Sequence, residues 1–413
     1  MSEDVIKNFH TDLRKSKDKF AIFIGAGSSY DYGIPTMDEM AKILHQQVID
    51  KKDDNGVTPK TRELLAVLTG MSKEKHEDQP MCTWNIEELL TRLHQVREVV
   101  ERRNRSFAAL DPKIGGTTFT PEQITIAENE LIDFMVNLTQ LDVSKKVPIS
   151  HGDRSIAYLS DFIELMGDFQ KTVNVFTTNI DLCVEAAIVK ISQRPKGKTY
   201  SRFHLIDGFS SGIVPIFDIT NFAWKSTYAH RDTVPVYYWK LHGSVDWTYS
   251  MPFDDKEDID FVEFGDDAII CKRIPDPQWQ VFYECGALAT PRTAKSQNAV
   301  IFPTPIKYSQ TYTNPYMDLY EAFRRTLEEA ELLLVIGTSF PDQHIKSVIR
   351  NFVQRKNTLL YVVDPRLNRD KLISIFGNLD AIQDVISLGF RDFVSQLKET
   401  KDLGVSGKVN TDE

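Results

Sequence analysis

The sequence has few cysteines, and their spacing offers no metal site. Cys82, Cys183, Cys271 and Cys285 are the four thiols of the chain, and no two of them form the CxxC pair of zinc ribbons or thioredoxin-like proteins. Sparse cysteine usage is typical of proteins that work in a reducing compartment. We therefore expect a protein that needs no metal and resides in the cytoplasm.

Long hydrophobic runs and a surplus of basic residues are also missing. The longest apolar runs, residues 332–336 among them, fall far short of the roughly 18 residues that a membrane span requires. The first 19 residues carry acidic side chains and lack the apolar centre of a signal peptide. The net charge of -10 disfavours a surface that binds nucleic acid directly, because phosphate contacts need clustered Lys and Arg. These features predict neither membrane insertion nor direct nucleic-acid binding.

The chain does contain short apolar runs separated by helical stretches. This alternation predicts an α/β fold in which a Rossmann-like parallel sheet is covered by helices on both faces. The runs that we interpret as strands are 20–24, 173–176, 236–240, 299–302, 332–336, 359–363 and 385–388.

A mostly helical insertion interrupts this pattern. Residues 51–165 contain several amphipathic helical stretches and no strand signal, whereas both flanks have strands. We predict an α/β domain formed by 1–50 and 166–399, a helical insertion at 51–165 and a flexible tail at 400–413.

A glycine-rich segment, GAGSSYDYGIP at 25–35, follows the first strand. Gly25 and Gly27 would let the backbone approach a ligand closely, and the hydroxyls of Ser28 and Ser29 can donate hydrogen bonds. The segment is not the GxGxxG fingerprint, so a tight strand-to-helix turn remains an alternative interpretation.

Two further strands end in polar motifs. In TTNID, residues 177–181, Asn179 and Asp181 flank an apolar residue and could share a cleft, although either could instead cap a helix. In WKLHGSVDW, residues 239–247, His242 precedes a glycine and could act as a general base of near-neutral pKa. A structural role for a single histidine is the alternative.

Two late strands end in GTSFPDQHI, residues 337–345, and in VVDP, residues 362–365. The backbone of Gly337, Thr338 and Ser339 suits contact with a nucleotide, and an acid such as Asp364 at a strand end often accepts a ribose hydroxyl. Asp342 is predicted to cap the helix that begins near Gln343.

Taken together and in this order, the motifs resemble the sirtuin superfamily over about residues 20–48 and 170–395. Finer features are similar to the bacterial sirtuin-like proteins that hydrolyse NAD in anti-phage defence. These finer features are 33–40 (GIPTMDEM), 84–93 (WNIEELLTRL), 239–247, 301–308 (IFPTPIKY) and 331–345.

The resemblance implies NAD as the substrate and assigns roles to residues that match the family motifs. Asn179, Asp181 and His242 would line the nicotinamide–ribose pocket and carry catalysis. The residues expected to hold the phosphates and riboses are Gly25, Ala26, Gly27, Ser28, Pro35, Thr178, Gly337, Thr338, Ser339 and Asp364. The implied activity is that of an NAD glycohydrolase, which releases nicotinamide and ADP-ribose.

Two departures from deacetylating sirtuins affect this interpretation. Thr36, Met37 and Asp38 follow Pro35 where those enzymes carry a Phe-Arg pair, and the four-cysteine zinc module after the HG motif is missing. Both departures favour hydrolysis over protein deacylation. A non-catalytic NAD- or ADP-ribose-binding regulatory module and a zinc-free NAD-dependent deacylase remain alternatives.

Regulation must come from outside the catalytic motifs, because an unrestrained NAD glycohydrolase would deplete its own cell. No sensor domain is recognisable, and the chain ends soon after the sirtuin-like region. We therefore expect a homo-oligomer that joins a separate defence partner, for which the resemblance suggests a HerA-type ATPase. The 51–165 insertion would contribute contacts, or alternatively serve only as a lid over the site.

Overall fold

The computed structural model describes residues 2–46, 57–68, 86–106, 113–114, 117–139, 155–192, 202–210, 215–223, 233–250, 269–272, 298–301, 314–377 and 380–406. The predicted motif residues Trp84 and Asn85 and most of the IFPTPIKY stretch lie outside the described residues.

A seven-stranded sheet in which every pairing is parallel forms the centre of the protein. Its strands are β1 (Phe20–Ile24), β4 (Val173–Thr177), β5 (Phe203–Ile206), β6 (Val234–Lys240), β10 (Leu332–Ile336), β11 (Leu359–Val363) and β12 (Ile382–Ile386). β1 and β10 are buried at every position, because both faces of the sheet are covered and continuous apolar runs are then required. The predicted α/β fold is confirmed.

The strand order places β1 at the point where the chain changes direction across the sheet. The order is β12-β11-β10-β1-β4-β6-β5, so the chain moves from β1 to β4 on one side and later returns to β10 on the other. Loops that leave the two sides of such a switch point open a crevice at the carboxyl ends of the strands. The carboxyl end of β1 is therefore where this fold predicts a ligand site.

Helices cover both faces of the sheet. One face packs against α1 (Ser2–Ser16), α6 (Ala157–Phe169), α7 (Cys183–Ser192) and α11 (Phe390–Ser406). The other face packs against α8 (Tyr316–Glu329), α9 (Gln343–Val353) and α10 (Arg369–Phe376). Each face has its own hydrophobic cluster.

A third hydrophobic cluster belongs to the helical part of the chain. It joins α2 (Met37–Ile43), α3 (Pro59–Leu68), α4 (Ile86–Ser106) and α5 (Pro121–Thr139), and a short antiparallel pair, β2 (Lys113–Ile114) and β3 (Thr117–Thr118), lies between α4 and α5. Ile180, Val245 and Val300 belong to the same cluster. The helical region is thus packed against the loop after β4 and against the antiparallel strands that contain Val245 and Val300.

One predicted strand of the parallel sheet lies elsewhere. The run 299–302 contributes to β9 (Asn298–Val300), which pairs antiparallel with β7 (Gly243–Ser250), and β7 also pairs with β8 (Ile269–Lys272). The apolar run correctly indicated burial, but burial alone does not tell which sheet a short strand joins.

Two helices cross the domain boundaries that the sequence predicts. α6 begins within the predicted insertion, yet its residues Tyr158, Phe162 and Met166 pack in the cluster of α1 and α7. α11 continues to Ser406, past the predicted end of the domain at residue 399, and Lys401 on it forms an ion pair with Asp168. No helix within the described ranges combines the length and apolar character that a membrane crossing needs.

Candidate active site

The polar motifs of the sequence meet at the carboxyl edge of five consecutive strands, β11, β10, β1, β4 and β6. Asp364 follows β11, Gly337 follows β10, Gly25 follows β1, Asn179 follows β4 and His242 follows β6. The backbone N–H of Leu241 donates to Thr177 O, so the loops after β4 and β6 begin side by side. The edge therefore brings together residues that are far apart in the sequence.

The loops after β1 and β10, residues 25–29 and 337–339 and here called the glycine loops, are tied by their main chains. Gly25 N donates to Ile336 O and Gly27 N to Gly337 O, each at 2.8 Å. Gly337 has φ +62°, and a Cβ there would lie 2.6 Å from the backbone of Gly27 and Ser28. The glycines are thus required for the contact of one loop with the other, in addition to any contact with a ligand.

Asn179 and Asp181 hold the first glycine loop with their side chains. Asn179 Nδ2 donates to Gly25 O at 3.0 Å and lies within 3.2 Å of Ser28 Oγ and 3.3 Å of Ser29 Oγ. Ser29 Oγ donates to Asp181 Oδ2 at 2.8 Å, while Asp181 Oδ1 accepts the N–H of Cys183 at the start of α7. Asp181 therefore accepts the first N–H of α7 and also contacts the loop, so a structural and a site role of this motif are compatible.

A buried ion pair lies beneath this motif. Lys240 is 1% exposed, and its Nζ donates to Asp181 O at 2.5 Å and to Glu185 Oε1 at 2.8 Å. Burial raises the pKa of Glu185 to about 7, although the Lys240 ammonium opposes the shift. Among the described residues, Glu185 Oε2 is buried without a hydrogen-bond partner, a further cost to the ionised carboxylate. Lys240 thus fixes the main chain of Asp181 from behind the site.

His242 lies in a small polar cluster on the β6 side. Its Nε2 is 3.0 Å from the hydroxyl oxygen of Tyr320 on α8 and 3.2 Å from Oδ2 of Asp342. The histidine is 6% exposed. The next residue, Gly243, has φ +74°, and a Cβ on it would collide with Ala299 O. The glycine of the HG motif therefore lets the main chain beside His242 pack closely against β9.

Asp342 has a second task at the start of α9. Its Oδ1 accepts the N–H groups of His344 and Ile345, which confirms the predicted helix cap. The contact of its other oxygen with His242 was missed by sequence reasoning. Nothing local in GTSFPDQHI marks it, since the two residues are 100 positions apart.

The remaining predicted ligand contacts lie around these groups. Ala26 and Ser339 are exposed at the loops, whereas Pro35 is buried and Thr178 is half-buried. Thr338 Oγ1 accepts the N–H of Phe340, and Asp364 Oδ1 accepts the N–H of Arg366 at 2.7 Å. These side chains shape the turns, and their contact with a nucleotide stays a prediction.

A family comparison assigns this part of the chain. Residues 173–376 match the model of the SIR2-like domain. These residues form a SIR2-like domain. The matched range includes Asn179, Asp181, His242 and Gly337, whereas β1 and Gly25 lie outside it. The structure places β1 in the same sheet, between β10 and β4.

Solved Sir2 structures also match the chain at low identity. A Sir2 homologue in complex with NAD is 12% identical, with 96% of this chain and 94% of that chain covered and a TM-score of 0.40. A mutant Sir2 homologue in complex with ADP-ribose is 13% identical, with 98% and 99% covered and a TM-score of 0.41. No curated protein sequence matches the chain.

Within the described part of the chain, no group of three or more His, Cys, Asp or Glu side chains is arranged to hold a metal ion. Cys183 and Cys271 are buried free thiols. The other two cysteines, Cys82 and Cys285, lie outside the described residues.

Proposed function

We propose that the protein is an NAD glycohydrolase that cleaves the nicotinamide–ribose bond to give nicotinamide and ADP-ribose. The observation that carries the proposal is the placement of polar side chains at the carboxyl edge of the sheet. His242, with a carboxylate beside it, follows β6, and Asn179 and Asp181 follow the neighbouring strand β4. A base and a polar orienting group on adjacent strands are what hydrolysis at a ribose carbon requires.

The reaction assigns a task to each of these side chains. His242 accepts a proton from the attacking water as the water oxygen bonds to the ribose C1′. The C1′–N bond breaks, and its electron pair remains on the nicotinamide nitrogen. Asn179 orients the ribose or the water, and the negative charge of Asp181 favours the cationic transition state. General-base help of this kind contributes about 10²- to 10⁴-fold in rate.

The residues around the crevice are compatible with a dinucleotide. The glycine loops lack side chains at the point where they meet, so a ligand can approach their backbone along the exposed positions Ala26 and Ser339. Asp364 is at the end of β11, on the β10 side of the switch point, where an acid can accept ribose hydroxyls. The two sides of β1 would then hold opposite ends of NAD.

One observation favours a second candidate, a non-catalytic NAD- or ADP-ribose-binding module. Asn179 Nδ2 and Asp181 Oδ2 are engaged with the first glycine loop, so both side chains have a structural use that requires no catalysis. In that case the His242 cluster would be an ordinary buried polar network.

Nicotinamide release separates the candidates. The purified protein is incubated with NAD, with and without an acetylated peptide, and nicotinamide is quantified by chromatography. We expect release without peptide, and a loss of at least about 100-fold in His242→Ala and Asn179→Ala. His204→Ala, which changes an exposed histidine on β5, is the matched control and should keep full activity. Binding of NAD without release would support the second candidate, and release only with peptide would support a deacylase.

We further propose that the protein is an anti-phage effector whose activity is restrained until it assembles with copies of itself or with a partner such as a HerA-type ATPase. The support is the packing of the helical region, whose hydrophobic cluster includes Ile180, the residue between Asn179 and Asp181. Movement of these helices would therefore displace Ile180 and the two polar residues beside it. Light scattering during chromatography, combined with nicotinamide release per fraction, tests this. A monomer with full activity would contradict it.

A further inference from the structure

The surroundings of Asp342 are more elaborate than a helix cap requires. An N-cap needs one acceptor oxygen, and Oδ1 supplies it at 2.9 Å from His344 N. The other oxygen, Oδ2, points instead at His242 Nε2, 3.2 Å away. The side chains of Asp342 and His242 are each 7% exposed, so water screens this contact little.

Tyr320 is the third member of the cluster, and its protonation state limits which atoms of the cluster can carry hydrogen. Burial raises the pKa of the Tyr320 hydroxyl, and its hydrogen bond to Asp342 raises the pKa further. Tyr320 therefore stays protonated and donates to the carboxylate. The N-terminus of α9 and its two N–H donors stabilise Asp342 in its ionised form.

An ionised carboxylate can only accept hydrogen bonds. A neutral histidine whose Nε2 contacts Asp342 must then carry its hydrogen on Nε2, and the lone pair is on Nδ1. We propose that Asp342 is a positioning residue that fixes His242 in the Nε2–H form, so that Nδ1 is the atom that takes the proton from water. This inference rests on the proposed hydrolase function, but its statement about the tautomer does not depend on turnover.

The variant Asp342→Asn tests the inference without removing the cap. The asparagine oxygen can still accept the N–H of His344, whereas its amide group offers a donor towards His242 in place of the carboxylate oxygen. Asp342→Ser also keeps a capping oxygen but is too short to reach the histidine. Asn368→Ser, at the N-cap of α10, is a matched cap variant remote from His242.

The kinetic expectation is a loss in kcat with little change in KM. In Asp342→Asn and Asp342→Ser, kcat should fall, by as much as about 10⁴-fold where the catalytic histidine adopts the wrong tautomer. The acidic limb of the pH profile of kcat should move to lower pH, because a negative charge that favours the protonated imidazole is gone. Asn368→Ser should keep both kcat and the profile.

Nitrogen NMR of ¹⁵N-histidine-labelled protein reads the tautomer directly, with the signal assigned by its absence in His242→Gln. The wild-type protein should show Nε2–H, and Asp342→Asn should show Nδ1–H, whereas Tyr320→Phe should retain Nε2–H. An Nδ1–H wild type, or a tautomer that changes in Tyr320→Phe but not in Asp342→Asn, would overturn the inference. If the wild-type protein releases no nicotinamide while the tautomers follow the expectation, only the hydrolase function fails.

Discussion

The glycine loops and the side-chain cluster around Asn179 and His242 share one edge of the sheet, but their geometry has different origins. In the glycine loops, main-chain atoms touch main-chain atoms, as in the contact of Gly27 N with Gly337 O. In the side-chain cluster, buried polar groups hold each other, as in the contacts of Lys240 with Glu185 and of His242 with Asp342.

The difference predicts how each region responds to change. A backbone contact leaves no space for any side chain, so even a methyl group at a glycine disturbs the fold. A side-chain network accepts a replacement of equal shape but loses its charge or its hydrogen bond. Substitutions in the glycine loops should therefore mainly affect stability, and isosteric substitutions in the cluster should mainly affect chemistry and its pH dependence.

The largest effect is expected for Gly337→Ala. The new Cβ would lie 2.6 Å from the backbone of Gly27 and Ser28, and φ +62° is unfavourable for alanine. Strain of about 1–2 kcal/mol and overlap of about 1–3 kcal/mol together predict a loss of about 3 kcal/mol in the free energy of unfolding. Urea denaturation followed by circular dichroism measures it.

Two other glycines control this measurement. Gly27→Ala introduces a Cβ 2.8 Å from Gly337 Cα without a positive φ, so it should lose only the overlap part. At Gly389 the nearest atom to a Cβ is 3.8 Å away, and Gly389→Ala should change stability by less than about 0.5 kcal/mol. Equal stabilities for all three variants would remove the distinction between the two regions.

The strands, and the order of the motifs that follow them, could be predicted because a strand buried on both faces requires a run of apolar residues. Runs such as 20–24 and 332–336 are apolar at every position, and a central parallel strand demands this. Asn179, His242 and Gly337 could be singled out because each follows a predicted strand. The rule that parallel strands present their carboxyl ends at one edge then brought them together.

The partners of these residues could not be predicted in the same way. The contacts of His242 with Asp342 and Tyr320 join positions 100 and 78 residues apart, and neither partner follows a pattern that points to histidine. Lys240 resembles an ordinary strand-end lysine in the sequence, yet it is one of the least exposed polar residues of the described chain. Long-range pairing of this kind depends on tertiary geometry.

A moderate effect, dependent on pH, is expected for Glu185→Gln in the side-chain cluster. Burial raises the pKa of Glu185 from its ordinary value of 4.5 to about 7. A carboxyl whose pKa is higher in the folded chain favours folding below pH 4.5, and this contribution is lost as the pH rises through about 7. The free energy of unfolding of Glu185→Gln, relative to that of the wild type, should therefore rise by about 1–3 kcal/mol as the pH rises between these two values.

Denaturation at several pH values measures this gain. Glu63→Gln, which breaks a surface ion pair of α3 with Lys60, is the control and should show almost no pH-dependent difference. If the stability of Glu185→Gln fell relative to the wild type as the pH rises, the Lys240 ion pair would dominate over burial.

The smallest effect is expected for Tyr158→Phe, which removes the support that a side chain gives to the glycine loops. The Tyr158 hydroxyl donates to Ser28 O at 2.8 Å, and burial raises its pKa, so the group is a donor at all accessible pH values. Loss of this single bond should lower the unfolding free energy by about 1 kcal/mol. Because the main chains of the two glycine loops hold each other, nicotinamide release should change by less than about twofold.

Tyr361→Phe is the matched control, since its hydroxyl donates to Asp12 Oδ2 at 2.8 Å and its ring is also buried. A large loss of activity in Tyr158→Phe, without a similar loss in Tyr361→Phe, would mean that the glycine loops depend on side chains as much as the cluster does.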